Sequence, residues 1–436
     1  MNRCQIAAFA CVMFGAAAHA DCPKGNGAIP AGANTTGPST PFYIDTTGLD
    51  FKTAPPTRDP KNPSYPPAME LPDGTLPQSG AEGNFIIGPT HAPAPEITAH
   101  ESVPSGKVIS FTMSSNDSTI YNPGLIRDDP NACLNAAVYA AETAPGDKSN
   151  ILVPSSHAGM WTRAVDVYVP PGYVAGSEAP FIVLGDGGPD GFFNEKQFFT
   201  VLDNLIHRHR IPPIVAVSIG SGGQNAQGTE RGLEYDAVSG AYAEFVENEV
   251  LPLAEAHANV KLTRDPDRRA TMGISSSGAA AFTMAWFHPE LYHRVLAYSP
   301  TVVNQQWPHN PALPGGAWQY HSAWTGPAVA ALNVQGLNVS KTDARFGAPL
   351  VPNSPAKPIR IWFEVGDQDL FYSIAPLADG MHDWVLADER FAKVLADKGY
   401  HYQFLFARNA KHVDKPTVAQ TLPAAIEWLW KGVPAQ

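Results

Sequence analysis

The stretch Arg269-Ala270-Thr271-Met272-Gly273-Ile274-Ser275-Ser276-Ser277-Gly278-Ala279-Ala280-Ala281-Phe282 decides how the whole chain reads. The residues before Gly273 suit a short buried strand. Those after Ser276, with Phe282, Met284 and Trp286, suit a helix. Between them lies small-x-Ser-x-small, the spacing of a nucleophile elbow. A strand that turns at once into a helix holds the central residue in a strained backbone conformation, and the residues two before and two after it must be small. The serine oxygen then stands clear of the sheet, near the positive end of the helix. Ser275 has Gly273 and Ser277 at those places. Ser276 would have the bulky Ile274, and Ser277 would have Ser275 and Ala279, which is sterically possible. Ser275 is therefore the expected nucleophile. Ser277 stands where the motif has its last glycine.

Outward from this point the chain alternates short apolar runs with helical spacing. Lys107–Met113 and Trp161–Val169 alternate as strands do. Phe181–Leu184, Ile214–Ile219, Val295–Ser299, Ile359–Val365 and Tyr402–Phe406 read as buried strands, and 198–207, 235–256, 384–398 and 422–430 as helices. Continuously apolar strands separated by helices predict an α/β fold, a mostly parallel sheet covered by helices on both faces. Ligands in such sheets sit at the carboxyl ends of the strands. Gly185–Pro189, Gly220–Gly223, Ser275 and Gly366–Asp369 all fall there.

A serine nucleophile needs a base, and the base an orienting acid. In an α/β-hydrolase the chain order is Ser, Asp or Glu, His. Gly366-Asp367-Gln368-Asp369 follows one strand and Ala407-Arg408-Asn409-Ala410-Lys411-His412 another. The expected triad is Ser275, Asp369 and His412, with Asp367 competing as the acid and His382 as the base. The oxyanion needs two backbone N–H groups. Ser276 is expected to supply one and Gly188 the other, with Gly187 second; Pro189 has none to give. No metal or organic cofactor is required.

These residues resemble the esterase D / enterochelin esterase family of α/β-hydrolases, which includes feruloyl esterases. The likeness covers roughly 85–433. It is carried by Tyr168-Val169-Pro170, Gly185-Asp186-Gly187, Arg231-Gly232-Leu233-Glu234-Tyr235, Glu249-Val250-Leu251-Pro252, Gly273–Gly278, Gly366–Asp369 and Glu427-Trp428-Leu429. It implies Ser275 as nucleophile, Asp369 as acid, His412 as base, and Arg231 with Glu234 as a supporting buried ion pair. It implies a carboxylic ester, small or polymer-linked, as substrate. A trilactone siderophore and a catalytically silent binding role on the same fold remain alternatives.

Composition narrows the setting. With 436 residues and 44% hydrophobic content the chain can bury a large core, and a net charge of -12 argues against binding phosphate backbones. Residues 1–20 read as a cleaved bacterial signal peptide: Arg3, an apolar run, then Ala18-His19-Ala20. A periplasmic or secreted protein is expected, with no membrane span and a Cys22–Cys133 disulfide between the two cysteines left after cleavage. Residues 21–85, rich in Pro and Gly, read as an extended N-terminal segment before a catalytic domain at 86–436. A Pro/Gly/Asn-rich segment at 301–356 is a candidate lid. Trp161, Phe192, Phe193, Trp307, Trp318 and Trp324 are candidate pocket walls.

Overall fold

A computed structural model describes residues 58–127, 156–189, 191–223, 229–303, 316–322, 348–370 and 383–435, with short strands at Phe42–Ile44, Ile151–Val153, Ala331–Val334 and Leu337–Ser340. Residues 1–20, expected to be a signal peptide, and Cys22, Cys133, His382, Trp307 and Trp324 lie outside the described residues.

The core is one 10-stranded sheet. In chain order its strands are β1 (Ala68–Glu70), β2 (Gly83–Ile87), β3 (Lys107–Ser114), β4 (Thr162–Val169), β5 (Phe181–Gly185), β6 (Val215–Ile219), β7 (Arg269–Ile274), β8 (Arg294–Tyr298), β9 (Arg360–Gln368) and β10 (His401–Lys411). They lie side by side as β1-β2-β10-β9-β8-β7-β5-β6-β4-β3. Every pairing from β1 to β6 is parallel, and the two that bring in β4 and β3 are antiparallel. The central strands β5 to β8 are buried along their whole length, which is why they read as unbroken apolar runs.

Helices cover both faces. They are α1 (Glu195–His207), α2 (Glu230–Tyr235), α3 (Ala241–Phe245), α4 (Leu251–Ala258), α5 (Ser275–Phe287), α6 (Trp384–Asp397) and α7 (Lys415–Leu429). One apolar cluster joins α3, α4, α5 and α6 to one face of the sheet, and a second joins α1 and α7 to the other. This is the helix-covered, mostly parallel sheet of an α/β-hydrolase.

Three local differences from the sequence reading have physical causes. Ala68–Glu70, inside the segment expected to be extended coil, and Gly83–Ile87, which runs across its end, are strands of the sheet. Phe85, Ile86 and Ile87 are buried there, and β2 pairs with β10. Helix α7 starts at Lys415 rather than Leu422, because Asp414 caps it through Thr417 N–H and Pro416 occupies its first turn. The 235–256 helical pattern is broken up: α2 ends at Tyr235, and a π-helical turn at Val246–Val250 separates α3 from α4.

Within the candidate lid, Ala317–Tyr320 forms a short 3-10 turn with Trp318 and Tyr320 buried. Tyr320 Oη donates to Thr283 Oγ1 at 2.7 Å. That part of the segment is anchored to α5.

Candidate active site

Ser275 opens α5 with φ of 53°, a left-handed conformation uncommon for a residue with a side chain. The tight turn explains the spacing of small residues. A Cβ on Gly273 would come within 2.2 Å of the Ser277 backbone, which cannot move aside. Ser277 fills the place of the motif's last glycine by turning inward. Its Oγ donates to Ile274 O at 2.8 Å and accepts from Ile274 N–H at 2.9 Å. Its Cβ rests against Gly185 at the end of β5. The hydroxyl thus caps the helix and is not available to a substrate. Ser276 is buried as well, and of the three serines Ser275 is the one bonded to a base.

That base is His412. Its Nε2 lies 2.9 Å from Ser275 Oγ and its Nδ1 lies 2.6 Å from Asp369 Oδ1. The Asp369 side chain is wholly buried, whereas the imidazole remains 22% exposed on the open side. Asp369 Oδ1 also accepts the Leu370 N–H at 2.6 Å. Asp367, the rival acid, turns away and accepts the Ala410 N–H at 3.2 Å, supporting the strand that leads to His412.

The strand order explains how residues so distant in sequence meet. Ser275 follows β7, Asp369 follows β9 and His412 follows β10, with β8 between the first two. The turn after β8 fills the gap. Thr301 Oγ1 lies 3.2 Å from Ser275 Oγ and accepts Trp384 Nε1–H at 3.3 Å. Ser299 Oγ accepts the Val413 N–H at 2.9 Å, beside the base. The Trp384 ring meets the imidazole edge-on, with centroids 5.6 Å apart. Thr301, Ser299 and Trp384 carry no motif, and no signal in the sequence marks them.

The oxyanion donors come out differently from the expectation. The Ser276 N–H is in the first turn of α5, where a backbone N–H has no intrahelical acceptor. Gly188 has the glycine-specific φ of 81°, but its N–H donates to Glu195 Oε2 at 2.8 Å and approaches Ser218 Oγ at 3.3 Å. Gly187 N–H donates to Ile219 O at 3.0 Å. Both glycines therefore brace the loop after β5, and neither presents its N–H to Ser275. Glu195, seven residues on, captures the donor that the glycine motif suggested.

The expected ion pair is also rearranged. Arg231 does not pair with Glu234. It forks onto Asp186, with Nε–Oδ1 2.8 Å and Nη2–Oδ2 2.7 Å, and Glu234 pairs with Arg163. All four side chains are buried, and each pair ties α2 to a strand or strand end of the sheet. Of the aromatic candidates, Trp161, Phe193 and Trp318 are buried in the body, and Trp161 Nε1 donates to Tyr121 O. Phe192 is 56% exposed, with the Arg231 guanidinium 5.0 Å from its ring centre.

No group of three His, Cys, Asp or Glu side chains among the described residues could hold a metal ion. No helix among them is long and apolar enough to cross a membrane.

Residues 156–404 match the model of a family described as "Putative esterase". Among solved structures, the chain is similar to a CE1 ferulic acid esterase from the anaerobic fungus Anaeromyces mucronatus: 14% identity over 78% of this chain and 96% of that one, TM-score 0.46. It is also similar to the enterochelin esterase of Shigella flexneri: 21% identity over 62% of this chain and 55% of that one, TM-score 0.40. A third is the feruloyl esterase module of Clostridium thermocellum: 12% identity over 79% of this chain and 95% of that one, TM-score 0.42. No curated protein matches.

Proposed function

We propose that this chain, which belongs to that esterase family, is a serine hydrolase that cleaves a carboxylic ester through an acyl-enzyme. The observation that carries the proposal is the single imidazole of His412 bridging Ser275 Oγ at 2.9 Å and a buried carboxylate at 2.6 Å. A base within hydrogen-bond reach of the nucleophile, itself oriented by an acid, is what this chemistry requires.

Ser275 Oγ attacks the ester carbonyl while His412 Nε2 takes its proton. Asp369 keeps Nδ1 protonated and stabilises the imidazolium. The tetrahedral oxyanion lies at the N-terminus of α5, where the Ser276 N–H and the helix dipole favour negative charge. His412 returns the proton to the leaving alcohol, then activates the water that frees the acid. A trilactone siderophore is anionic and would want free cations at the site. Arg231 is committed to Asp186 and Arg58 to Asp383, so neither supports that reading. Export through the leader at residues 1–20 belongs to the same proposal.

The test is hydrolysis of short p-nitrophenyl esters by the wild type and Ser275→Ala, with fluorophosphonate labelling mapped by mass spectrometry. We expect the label on Ser275 and a fall in kcat of at least about 10⁴-fold in the variant. Undiminished turnover by Ser275→Ala would overturn the mechanism, and absence of both turnover and label in the wild type would favour a silent binding protein.

A further inference from the structure

The loop that carries the acid is held from outside the stretch that matches the esterase family. Arg58 belongs to the Pro-rich N-terminal segment, about a hundred residues before the part of the chain that matches the esterase family. Its guanidinium reaches across the end of β9. Nη1 donates to Asp369 O at 2.5 Å and, at 3.4 Å, to Asp367 O; Nη2 donates to Leu370 O at 3.0 Å; Nε donates to Asp383 Oδ2 at 3.3 Å. Three carbonyls of one loop converge on one cation. Asp383 in turn caps α6 through the Leu386 N–H, and Leu370 O also accepts the Trp384 N–H. Arg58 therefore joins the acid loop to the start of the helix whose first residue, Trp384, lies against His412.

The charge around this place explains why a cation belongs there. The side chains of Glu364, Asp369, Asp383, Asp388 and Glu389 are all buried in this region, each 2% exposed or less. Asp369 Oδ2 and both oxygens of Glu364 and of Asp388 have no hydrogen-bond partner among the described residues. Burial first, and the neighbouring Asp369 second, push the Glu364 and Asp388 carboxyls well above their ordinary range. A full positive charge beside the Asp369 backbone offsets part of this repulsion. The segment that delivers Arg58 is itself seated: Tyr65 is buried, and its N–H closes a turn onto Asn62 O at 2.9 Å.

We infer that Arg58 is a positioning residue for the catalytic acid, so that the N-terminal segment is part of the construction of the active site. The inference rests on the reading of Ser275, His412 and Asp369 as the triad. A planar guanidinium can serve three carbonyls and a carboxylate from one plane; a lysine ammonium cannot. Without it the 367–370 loop keeps its strand but loses what sets the carboxylate against His412 Nδ1. Displacing such a group by about 1 Å costs about 10²-fold in rate. The Arg58 guanidinium is bonded to the acid loop and to Asp383, so the expected loss falls on kcat.

The experiment uses the full-length enzyme with Arg58→Met, Arg58→Lys and Arg58→Ala. Steady-state kinetics on a p-nitrophenyl ester, the rate of phosphonate labelling at Ser275, and the melting temperature are measured for each. We expect kcat and the labelling rate to fall together by about 10²-fold in Arg58→Met and less in Arg58→Lys, with KM little changed. Added guanidinium at sub-denaturing concentration should recover part of kcat in Arg58→Ala, and an equal concentration of sodium chloride should not. A purely structural residue would lower the melting temperature without this split or this rescue. If Arg58→Met does not fold, Arg58→Lys decides. Wild-type kcat in the folded variants, or rescue by either salt alike, would overturn the role of Arg58 while leaving the triad standing. Absence of label on Ser275 in the wild type would overturn the triad and this inference with it.

Discussion

The inward-turned Ser277 makes a quantitative prediction about the elbow. Adding a methyl group at Gly185 puts its Cβ 2.7 Å from Ser277 Cβ, about 1 Å inside normal carbon contact. Strand β5 and helix α5 are both fully packed at that point, so the overlap cannot be relieved cheaply. Gly185→Ala alone should destabilise by about 1–3 kcal/mol. Ser277→Gly alone removes the two hydrogen bonds to Ile274 and adds a glycine to the first turn of the helix, together about 2 kcal/mol. In the double variant the overlapping atom is gone. The nearest remaining neighbour of the new methyl is Tyr235 Oη at 3.5 Å, an ordinary contact. The double variant should therefore be more stable than the sum of the singles by about 1–3 kcal/mol. Ser277→Ala in place of Ser277→Gly keeps the Cβ and should give no such coupling. Urea unfolding of the four proteins, with esterase activity followed in parallel, measures it. Additivity within about 0.5 kcal/mol would show that Ser277 does not occupy the space beneath Gly185 and would refute the account of the elbow.

Asp369→Asn should lower kcat by about 10⁴-fold, because the amide favours the wrong imidazole tautomer, whereas Asp367→Asn, whose side chain accepts the Ala410 N–H and not the imidazole, should cost less than tenfold. Equal losses would move the acid to Asp367. The Glu389 carboxyl is pushed by burial from its ordinary 4.5 up to about 8. The folded state then holds a proton that the unfolded chain has released, so its contribution is complete below pH 4.5 and is lost as pH rises through 8. Glu389→Gln stays neutral and should flatten that decline, gaining on the order of a few kcal/mol relative to wild type at the alkaline end. Urea midpoints across this range check it, and an unchanged slope would show that Glu389 ionises freely.

Much of the site was legible because strands and turns are local. Gly273, Ser275 and the order Ser, Asp, His report a strand-turn-helix and three strand ends, and each depends on a few neighbouring residues. What was illegible depends on contacts between distant segments. The direction of the Gly188 N–H is decided by Glu195 and Ser218, which the glycine motif does not contain. Arg231 and Glu234 sit one helical turn apart, which favours a pair between them, yet Asp186 and Arg163 each offered a partner at the sheet. Ala68–Glu70 and Gly83–Ile87 are too short and too closely flanked by Pro and Gly to announce themselves as strands; the pairing of β2 with β10, and of β1 with β2, settles the matter. Arg58 looked like linker because its partners are three backbone carbonyls and a carboxylate more than three hundred positions away.

Gly366 shows the same dependence at the base of the site, and it yields the sharpest test of how His412 arrives. Strand β10 follows β9 in register up to Gly366 opposite Ala407, then slips, so that Gln368 faces Lys411. The two extra residues on β10 curl it over the end of β9 towards Ser275, where the strand it left would not reach. At the crossing a Cβ on Gly366 would lie 2.3 Å from Ala410 O and 2.6 Å from Ala410 C. Those are backbone atoms two residues before His412, pinned from the other side by Asp367 Oδ1 on the Ala410 N–H. They can yield only by shifting the curl, and the imidazole moves with it. Gly366→Ala should thus lose about 10²-fold in kcat, with the phosphonate label on Ser275 slowed equally. Strand β9 keeps its remaining pairings on both sides, so the variant should still fold. A folded Gly366→Ala with wild-type kcat would mean that His412 reaches Ser275 without that close crossing.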